Sequence, residues 1–352
     1  MFAKKNVVAA AALTLLAVAA HAQVTVYGNL DVSVGRKQVI TGYDVNGKAI
    51  KESTTNVDSS DMSQSFIGFK GQEDLGGGLK AVFKLESELA VDTGAANGGS
   101  AFWNRNATVG LVGDFGAINL GRFENLFKLE GAAFNPFGSS KTFSPTFRAA
   151  RLAGNDSWSN GISYASPSLG GLTLSAQYSA KEAAKGNAAQ YGGGAVAVAA
   201  NFVAGPLALS ATLGEVRSTD GVTAPNGKAR PWLLGASYDL GAVKLFGQYG
   251  QVKFNDKLAG DDGKVKGYQL GVSVPVSADG AVLASFGDSK ETAPGVAGSY
   301  KARDFSLGYT HNLSKRTNVY AALINEREKD TSVVPTEKGT TNSFAVGVRH
   351  AF

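Results

Sequence analysis

The 352-residue chain contains no cysteine, which removes disulfides, thiol nucleophiles and cysteine-ligated metals together. Histidine is almost as scarce. Beyond residue 22 only His311 and His350 occur, on separate segments, and they assemble no triad or metal cluster. Neither an enzyme nor a metal or other cofactor is therefore expected. Charge of one sign is also lacking. The formal net charge is +5, two of it from Lys4 and Lys5, without the clustered basic residues of a nucleic-acid binder. No apolar run past residue 22 approaches the 18 or so residues of a membrane helix. Proline is limited to nine residues, while glycine reaches 45 without a collagen-like period.

The one continuous apolar stretch lies at the start. Lys4 and Lys5 precede Val7 to Ala20, and Ala20-His21-Ala22 follows as a small-residue cleavage site. Residues 1–22 read as a secretory signal peptide, removed so that the mature chain begins at Gln23. The remaining 23–352 read as one exported domain.

That domain alternates. In VTVYGNLDVSV, Val24 to Val34, the even positions are apolar or glycine, while Tyr27, Asn29 and Asp31 stand on the other face. A period of two marks a strand with unlike faces. In LKAVFKLESEL, Leu79 to Leu89, one face carries Lys80, Lys84, Glu86 and Glu88. A charge facing lipid costs about 2–4 kcal/mol at the midplane, so that face meets water. Similar segments follow from Leu172, Leu207, Leu233, Val243, Tyr268, Ala281, Phe305 and Asn318 and through Ser343 to the end.

The connections come in two sizes and alternate strictly. Short ones fall near 74–78, 113–116, 166–171, 204–206, 241–242, 278–280 and 314–316. Long polar ones fall near 35–62, 92–102, 123–158, 181–192, 218–230, 255–264, 289–302 and 328–341. Tight turns at one end and long loops at the other are the pattern of a transmembrane barrel. The count is 16 antiparallel strands in an all-β fold. A secreted soluble β-protein or adhesin is the competing class; it gives no reason for sorting loops by length. Three motifs are decoys. GGGAVA from Gly192 opens an alternating segment rather than a helix, the acids of Asp256 to Asp262 lack calcium-loop spacing, and Asn106-Ala107-Thr108 is an idle sequon.

Several stretches together resemble the trimeric general porins of Gram-negative outer membranes, in their beta-proteobacterial branch. They are VTVYGNLDVSV, SFIGFKGQEDLGGGLKAVFKLE (Ser65 to Glu86), NRNATVGLVGDFGAINLGR (Asn104 to Arg122), NPFG (Asn135 to Gly138), NGISYASPSLGG (Asn160 to Gly171) and the terminal VGVRHAF. The resemblance implies a trimer in the outer membrane, among its lipid and lipopolysaccharide, with a water-filled lumen in each subunit. It implies passive diffusion of small hydrophilic solutes and anions. Residues 123–158 would be the third loop, folded inward to narrow the pore, and the terminal Phe352 the signal read by the barrel-assembly machinery.

The resemblance also implies wall arginines facing acids on the inward loop. Arg105 matches the arginine of R-x-A-x-V-G-L. Phe66 stands where S-R-x-G-F-K-G has its arginine, and a third arginine position holds Ser157 or Trp158, with Arg148 and Arg151 the candidates to replace it. The implied constriction set also takes in Arg122, Glu124 and Glu130. Lys70, Lys80 and Lys84, with Asn29 and Asp31, would line the lumen, and the lysines with Arg105 would favour anions. The loop aromatics, from Phe123 to Trp158, either pin the loop to the wall or line a pore for aromatic organic acids. Arg105 shares its alternation with Val109 and Leu111, so an inward Arg105 would leave Asn106 and Thr108 outward, as a subunit interface would tolerate.

Overall fold

The computed structural model describes residues 23–97, 101–144, 156–181, 194–217, 228–255 and 263–352. The leader 1–22, Arg148, Arg151, Gly192 and the Asp256–Asp262 acids lie outside the described residues. In chain order the strands are β1 (Gln23–Tyr43), β2 (Ala49–Ser59), β3 (Phe66–Gly76), β4 (Leu79–Ala90), β5 (Ala95–Ala96), β6 (Asn106–Gly113) and β7 (Gly116–Glu124). A helix, α1 (Leu126–Ala133), follows, then β8 (Ser157–Ala165), β9 (Leu172–Ser179), β10 (Ala195–Ala204), β11 (Leu207–Arg217) and β12 (Lys228–Asp239). The chain ends with β13 (Lys244–Asn255), β14 (Gly263–Pro275), β15 (Gly280–Thr292), β16 (Tyr300–Asn312), β17 (Thr317–Asp330) and β18 (Glu337–Ala351).

All strand pairings are antiparallel, and β1 closes on β18 from Asn29↔Ala351 to Arg36↔Phe344. The wall has 16 staves. β2 and β3 share one of them, since β1 pairs with β3 over Gln23–Asn29 and with β2 over Val32–Tyr43. β5 adds only a two-residue pair to the end of β4. Closure removes every sheet edge, which a bilayer demands because unpaired backbone groups have no water there.

The valines of β1 lie outside. Val24, Val26 and Val34 are exposed, while Asp31 and Ser33 are buried on the inner face. The same division runs round the barrel: Val109, Leu120, Ile162, Val198, Leu213, Leu270 and Leu307 are exposed, and Thr212, Gln248, Gln269, Ser285 and Ser306 are buried. An apolar outer face and a polar inner one fit lipid outside and water within.

The seven short connections fall as the sequence implies, but three long ones shrink. Most of 35–62 is the β1–β2 hairpin, with a turn at 44–48; 289–302 reduces to 293–299 and 328–341 to 331–336. A spanning strand needs about 9–11 residues, whereas β1 has 21. Above the bilayer no lipid imposes an apolar alternation, so these strand extensions carry no sequence signal.

β6 also corrects an expectation. Val109 is 59% exposed and faces out, while Asn106 is buried and bonds Glu86. Arg105 nevertheless enters the lumen, because it lies at a bend before the strand begins and escapes its alternation. The case for a subunit interface at β6 therefore falls away.

Candidate functional site

The segment after β7 turns inward and crosses the lumen. Asn125 caps α1, its side chain accepting from the Lys128 amide at 2.8 Å, and LFKLEGAA contains no β-branched residue to oppose a helix. Pro136 then prevents continuation. Leu126 and Phe127 join Phe123 and Trp158 in a core against Ala197, Ala199, Leu233, Val252 and Val265 of the inner wall. Further along, Phe137 and Phe143 pack with Met62, Leu283, Tyr320, Ala322, Ile324 and Ala345. The loop is thus anchored on both sides of the barrel.

Glycines in the wall make sockets for these rings. A Cβ on Gly235 would stand 2.5 Å from Phe134, on Gly214 2.9 Å from Phe127, and on Gly308 2.9 Å from Phe137. Polar ties add direction. Gln248 Nε2 donates to the Gly131 and Phe134 carbonyls at 2.9 Å, and Gln177 accepts from the Leu126 amide at 3.0 Å and donates to the Glu124 carbonyl at 3.0 Å.

Between α1 and the β3–β6 wall lies a charged cluster. Arg105 reaches Glu124 at 3.2 Å and Glu86 at 3.5 Å, donates to Gln64, and lies 4.5 Å from the Phe66 ring centre. Lys128 of α1 contacts Glu124 at 2.8 Å, Asp156 at 3.4 Å and Gln64 at 2.8 Å. Glu86 also accepts from the Tyr27 hydroxyl at 2.7 Å and meets Lys84 at 3.0 Å. Farther along the loop, Lys141 pairs with Glu88. A cavity of about 660 Å³ opens beside the cluster, lined among others by Thr25, Lys70, Lys84, Asn106, Asn119 and Leu129.

The sequence-based set divides accordingly. Arg105, Glu124, Phe66 and Lys84 come together, Lys70 lines the cavity with its ammonium 4.6 Å from the Tyr27 ring centre, and Asn29 bonds Ser63 and Gln64. Lys80 lies farther along β4, opposite Asp74. Three residues leave the constriction. Glu130 is buried against β10, accepting from Asn201 at 2.8 Å. Arg122 sits at a bulge in β7 and donates to the Asn104 carbonyl and Ser159 hydroxyl, both at 2.6 Å. Asp31 points inward but is sealed from the lumen water: its carboxylate binds the Met62 and Ser63 amides and the Tyr320 hydroxyl. The sequence reading missed α1, Gln64, Lys128 and Lys141. The Asn125 cap, and the Glu124–Lys128 spacing of four residues, were the available signals.

A closed sixteen-stave barrel with an apolar exterior, a polar interior and a loop folded across its lumen is a transmembrane channel. The Gram-negative porin family model matches residues 9–331. Outer membrane porin protein 32 of Delftia acidovorans is 33% identical over 378 aligned residues, covering 99% of this chain and all of that protein. The solved anion-selective porin from Comamonas acidovorans superposes with a TM-score of 0.78 at 31% identity, over 94% of this chain and all of that one. An OmpT loop-deletion structure from Vibrio cholerae shares the fold alone, at 15% identity and a TM-score of 0.70, over 94% of this chain and 99% of that one. The chain belongs to the Gram-negative porin family. It is an outer-membrane porin, a water-filled channel for passive diffusion of small hydrophilic solutes.

Proposed function

We propose that the pore is a general diffusion channel with a moderate preference for anions, assembled as a homotrimer. The preference rests on the charge left over around the cavity. Glu86, Glu88 and Glu124 are each paired with Arg105, Lys84, Lys128 or Lys141. Lys70, which lines the cavity, lies instead over the ring of Tyr27 at 4.6 Å and keeps its charge available to passing ions. The relative from Comamonas acidovorans is described as anion-selective, which supports the same sign here. A distant porin-fold relative described in a trimer form supports the oligomer.

Residues 123–158 act as the constricting loop in this reading. Export uses residues 1–22, Phe352 directs insertion by the assembly machinery, and lipopolysaccharide surrounds the outer half. No bond is made or broken; width and charge sort the solutes. The alternative, a pore for aromatic organic acids, draws less support. Phe66 already packs beneath Arg105 and edge-on to Tyr27, with ring centres 5.8 Å apart.

Planar-bilayer recording across a potassium chloride gradient tests the proposal. The expected reversal potential favours chloride, and Lys70→Glu with Lys84→Glu moves it toward potassium. A cation preference in the unaltered protein overturns the anion reading, and saturable block by benzoate favours the aromatic-acid alternative.

A further inference from the structure

The second stave of the wall is interrupted. β1 pairs with β3 as far as Asn29↔Phe66 and with β2 from Val32↔Ser59, so residues 60–65 leave the ladder between them. They turn into the barrel, where Ser60, Asp61, Met62, Gln64 and Ser65 are all buried. Irregular backbone at membrane depth survives only where protein covers it or it lines a cavity. Ser60 takes φ +69°, one of two non-glycine residues at positive φ among the described residues. A side chain stays in that region only where its surroundings over-determine it, and such positions gather at functional sites.

Asp31 fixes the turn. The Ser60 amide donates to its carbonyl at 2.9 Å, and its own amide donates to Ser65 Oγ at 2.9 Å. Its carboxylate accepts from the Met62 and Ser63 amides at 2.9 and 2.5 Å and from the Tyr320 hydroxyl of β17 at 2.7 Å. Hydrogen bonds to an ionised acceptor are the strong, directional ones. Asp31 is fully buried, and among the described residues its hydrogen bonds run to 59–65 and to Tyr320, not to the inward loop.

The turn, in contrast, grips the loop at three places. Near the loop's start, Gln64 Oε1 accepts from Lys128 Nζ at 2.8 Å and also from Arg105. Farther along, Met62 packs with Phe137 and Phe143. Beyond those rings, Thr142 Oγ1 donates to the Asp61 carboxylate and Ser140 Oγ to the Asp61 carbonyl, both at 2.6 Å. Asp61 is itself steadied from β1, by Ser33 Oγ at 2.6 Å and Lys37 Nζ at 2.5 Å. Four successive residues, Asp61 to Gln64, thus join a sealed wall carboxylate to both limbs of the loop and to the arginine that faces it.

We propose that residues 60–65 are the mount that sets the width of the pore, and that Asp31 is its positioning residue, acting on permeation through the turn alone. The inference rests on residues 123–158 being the constricting loop, and not on the sign of the ion preference. A loop held at both limbs by one turn shifts when that turn shifts, so releasing the turn widens the opening and weakens its charge selection together.

The test compares Asp31→Ala, Asp31→Asn, Asp61→Ala and Phe134→Ala with the wild type in planar bilayers, with heat modifiability certifying each barrel. The readouts are single-channel conductance, the largest polyethylene glycol that enters the pore, and the reversal potential in a potassium chloride gradient. Asp31→Ala and Asp61→Ala should each raise conductance about 1.5-fold or more, admit larger polymers and move the reversal potential toward zero. Asp31→Asn keeps an oxygen for the Met62 and Ser63 amides and should behave like the wild type. The double variant Asp31→Ala/Asp61→Ala should fall short of the sum of the singles, since both act on one turn. If Asp31→Ala fails to fold, Ser140→Ala/Thr142→Ala removes the loop's hydrogen bonds to Asp61 and leaves the wall intact, and it should widen the pore in the same sense. Phe134→Ala unseats the loop without touching the mount. A change in Phe134→Ala with none in the folded Asp31→Ala and Ser140→Ala/Thr142→Ala overturns the mount, whereas no change in any variant overturns the constricting role of the loop itself. A lower melting temperature in Asp31→Ala with all three pore readouts unchanged makes Asp31 a wall residue only and also overturns the proposal.

Discussion

Arg105 concentrates the electrostatics of the constriction in one side chain. Its guanidinium lies between Glu124 and Glu86 and over the face of Phe66. A planar fork can do all three at once; an ammonium cannot. Arg105→Gln is expected to leave the two carboxylates under-compensated and to move the reversal potential in a potassium chloride gradient toward potassium. Arg105→Lys should produce a smaller shift of the same sign. A shift toward chloride in either variant would remove Arg105 from the selectivity mechanism. The arginine was legible because it sits in a short motif. Lys128 left a local signal in its four-residue spacing from Glu124, but Lys141 left none, since its partner Glu88 is chosen by how the loop lands on the wall, which no local pattern records. Outside the membrane, the Asp44 carboxylate accepts from the amides of Lys48 and Asn46, both at 2.9 Å, and these hold it below the ordinary aspartate range. Its contribution to the hairpin tip is therefore complete above the ordinary value and fades as pH falls through the lowered one. A carboxyl NMR titration of Asp44 should show a midpoint below that of a free aspartate, accompanied by a fall in the Lys48 amide protection factor, relative to its intrinsic exchange, as Asp44 protonates.

Among elements, the inward loop is held by the barrel and contributes little to holding it. Its rings enter sockets left by Gly235, Gly214 and Gly308, while the wall closes through its own ladders. Phe134→Ala should cost the loop about 3–5 kcal/mol of anchoring by the usual cost of emptying a buried ring's site. It should loosen α1, with larger and noisier conductance and new protease sites near Phe134. Heat modifiability of the barrel should stay unchanged. Gly235→Val attacks the same contact from the wall. Because both act on one socket, the double variant should fall short of the sum of the singles. A matching loss of barrel stability in Phe134→Ala would mean that loop and wall unfold as one unit. The sequence displayed these aromatics but not their targets. The inward glycines and the alanines of β10 look like ordinary strand residues until the loop is set upon them.

At the scale of the whole molecule, lipid makes the wall legible, since it requires alternation over every spanning segment, and the same requirement lapses where strands rise above it. Closure depends on the two chain ends. Phe352 and Gly28 exchange backbone hydrogen bonds, Gly28 donating at 3.2 Å and Phe352 at 3.1 Å, and the ring lies over Gly28, where a Cβ would come within 2.5 Å. Beyond that point, β1 and β18 are joined through eight register pairs, from Asn29↔Ala351 to Arg36↔Phe344. Phe352→Ala keeps the backbone bonds and removes only a ring that is 40% exposed. The expected loss of stability in the refolded barrel is therefore small, about 1–2 kcal/mol at most for a partly exposed aromatic. If Phe352 serves as the assembly signal, the loss in cells should be far larger: folded, heat-modifiable protein in the outer-membrane fraction should fall severalfold while the refolded variant melts almost like the wild type. Measuring both quantities on the same variant separates the roles. A melting loss large enough to account for the fall in yield would make the ring a clasp for the closed barrel. A fall in yield with melting unchanged would make it a feature read during insertion, and an unchanged yield would remove Phe352 from assembly altogether.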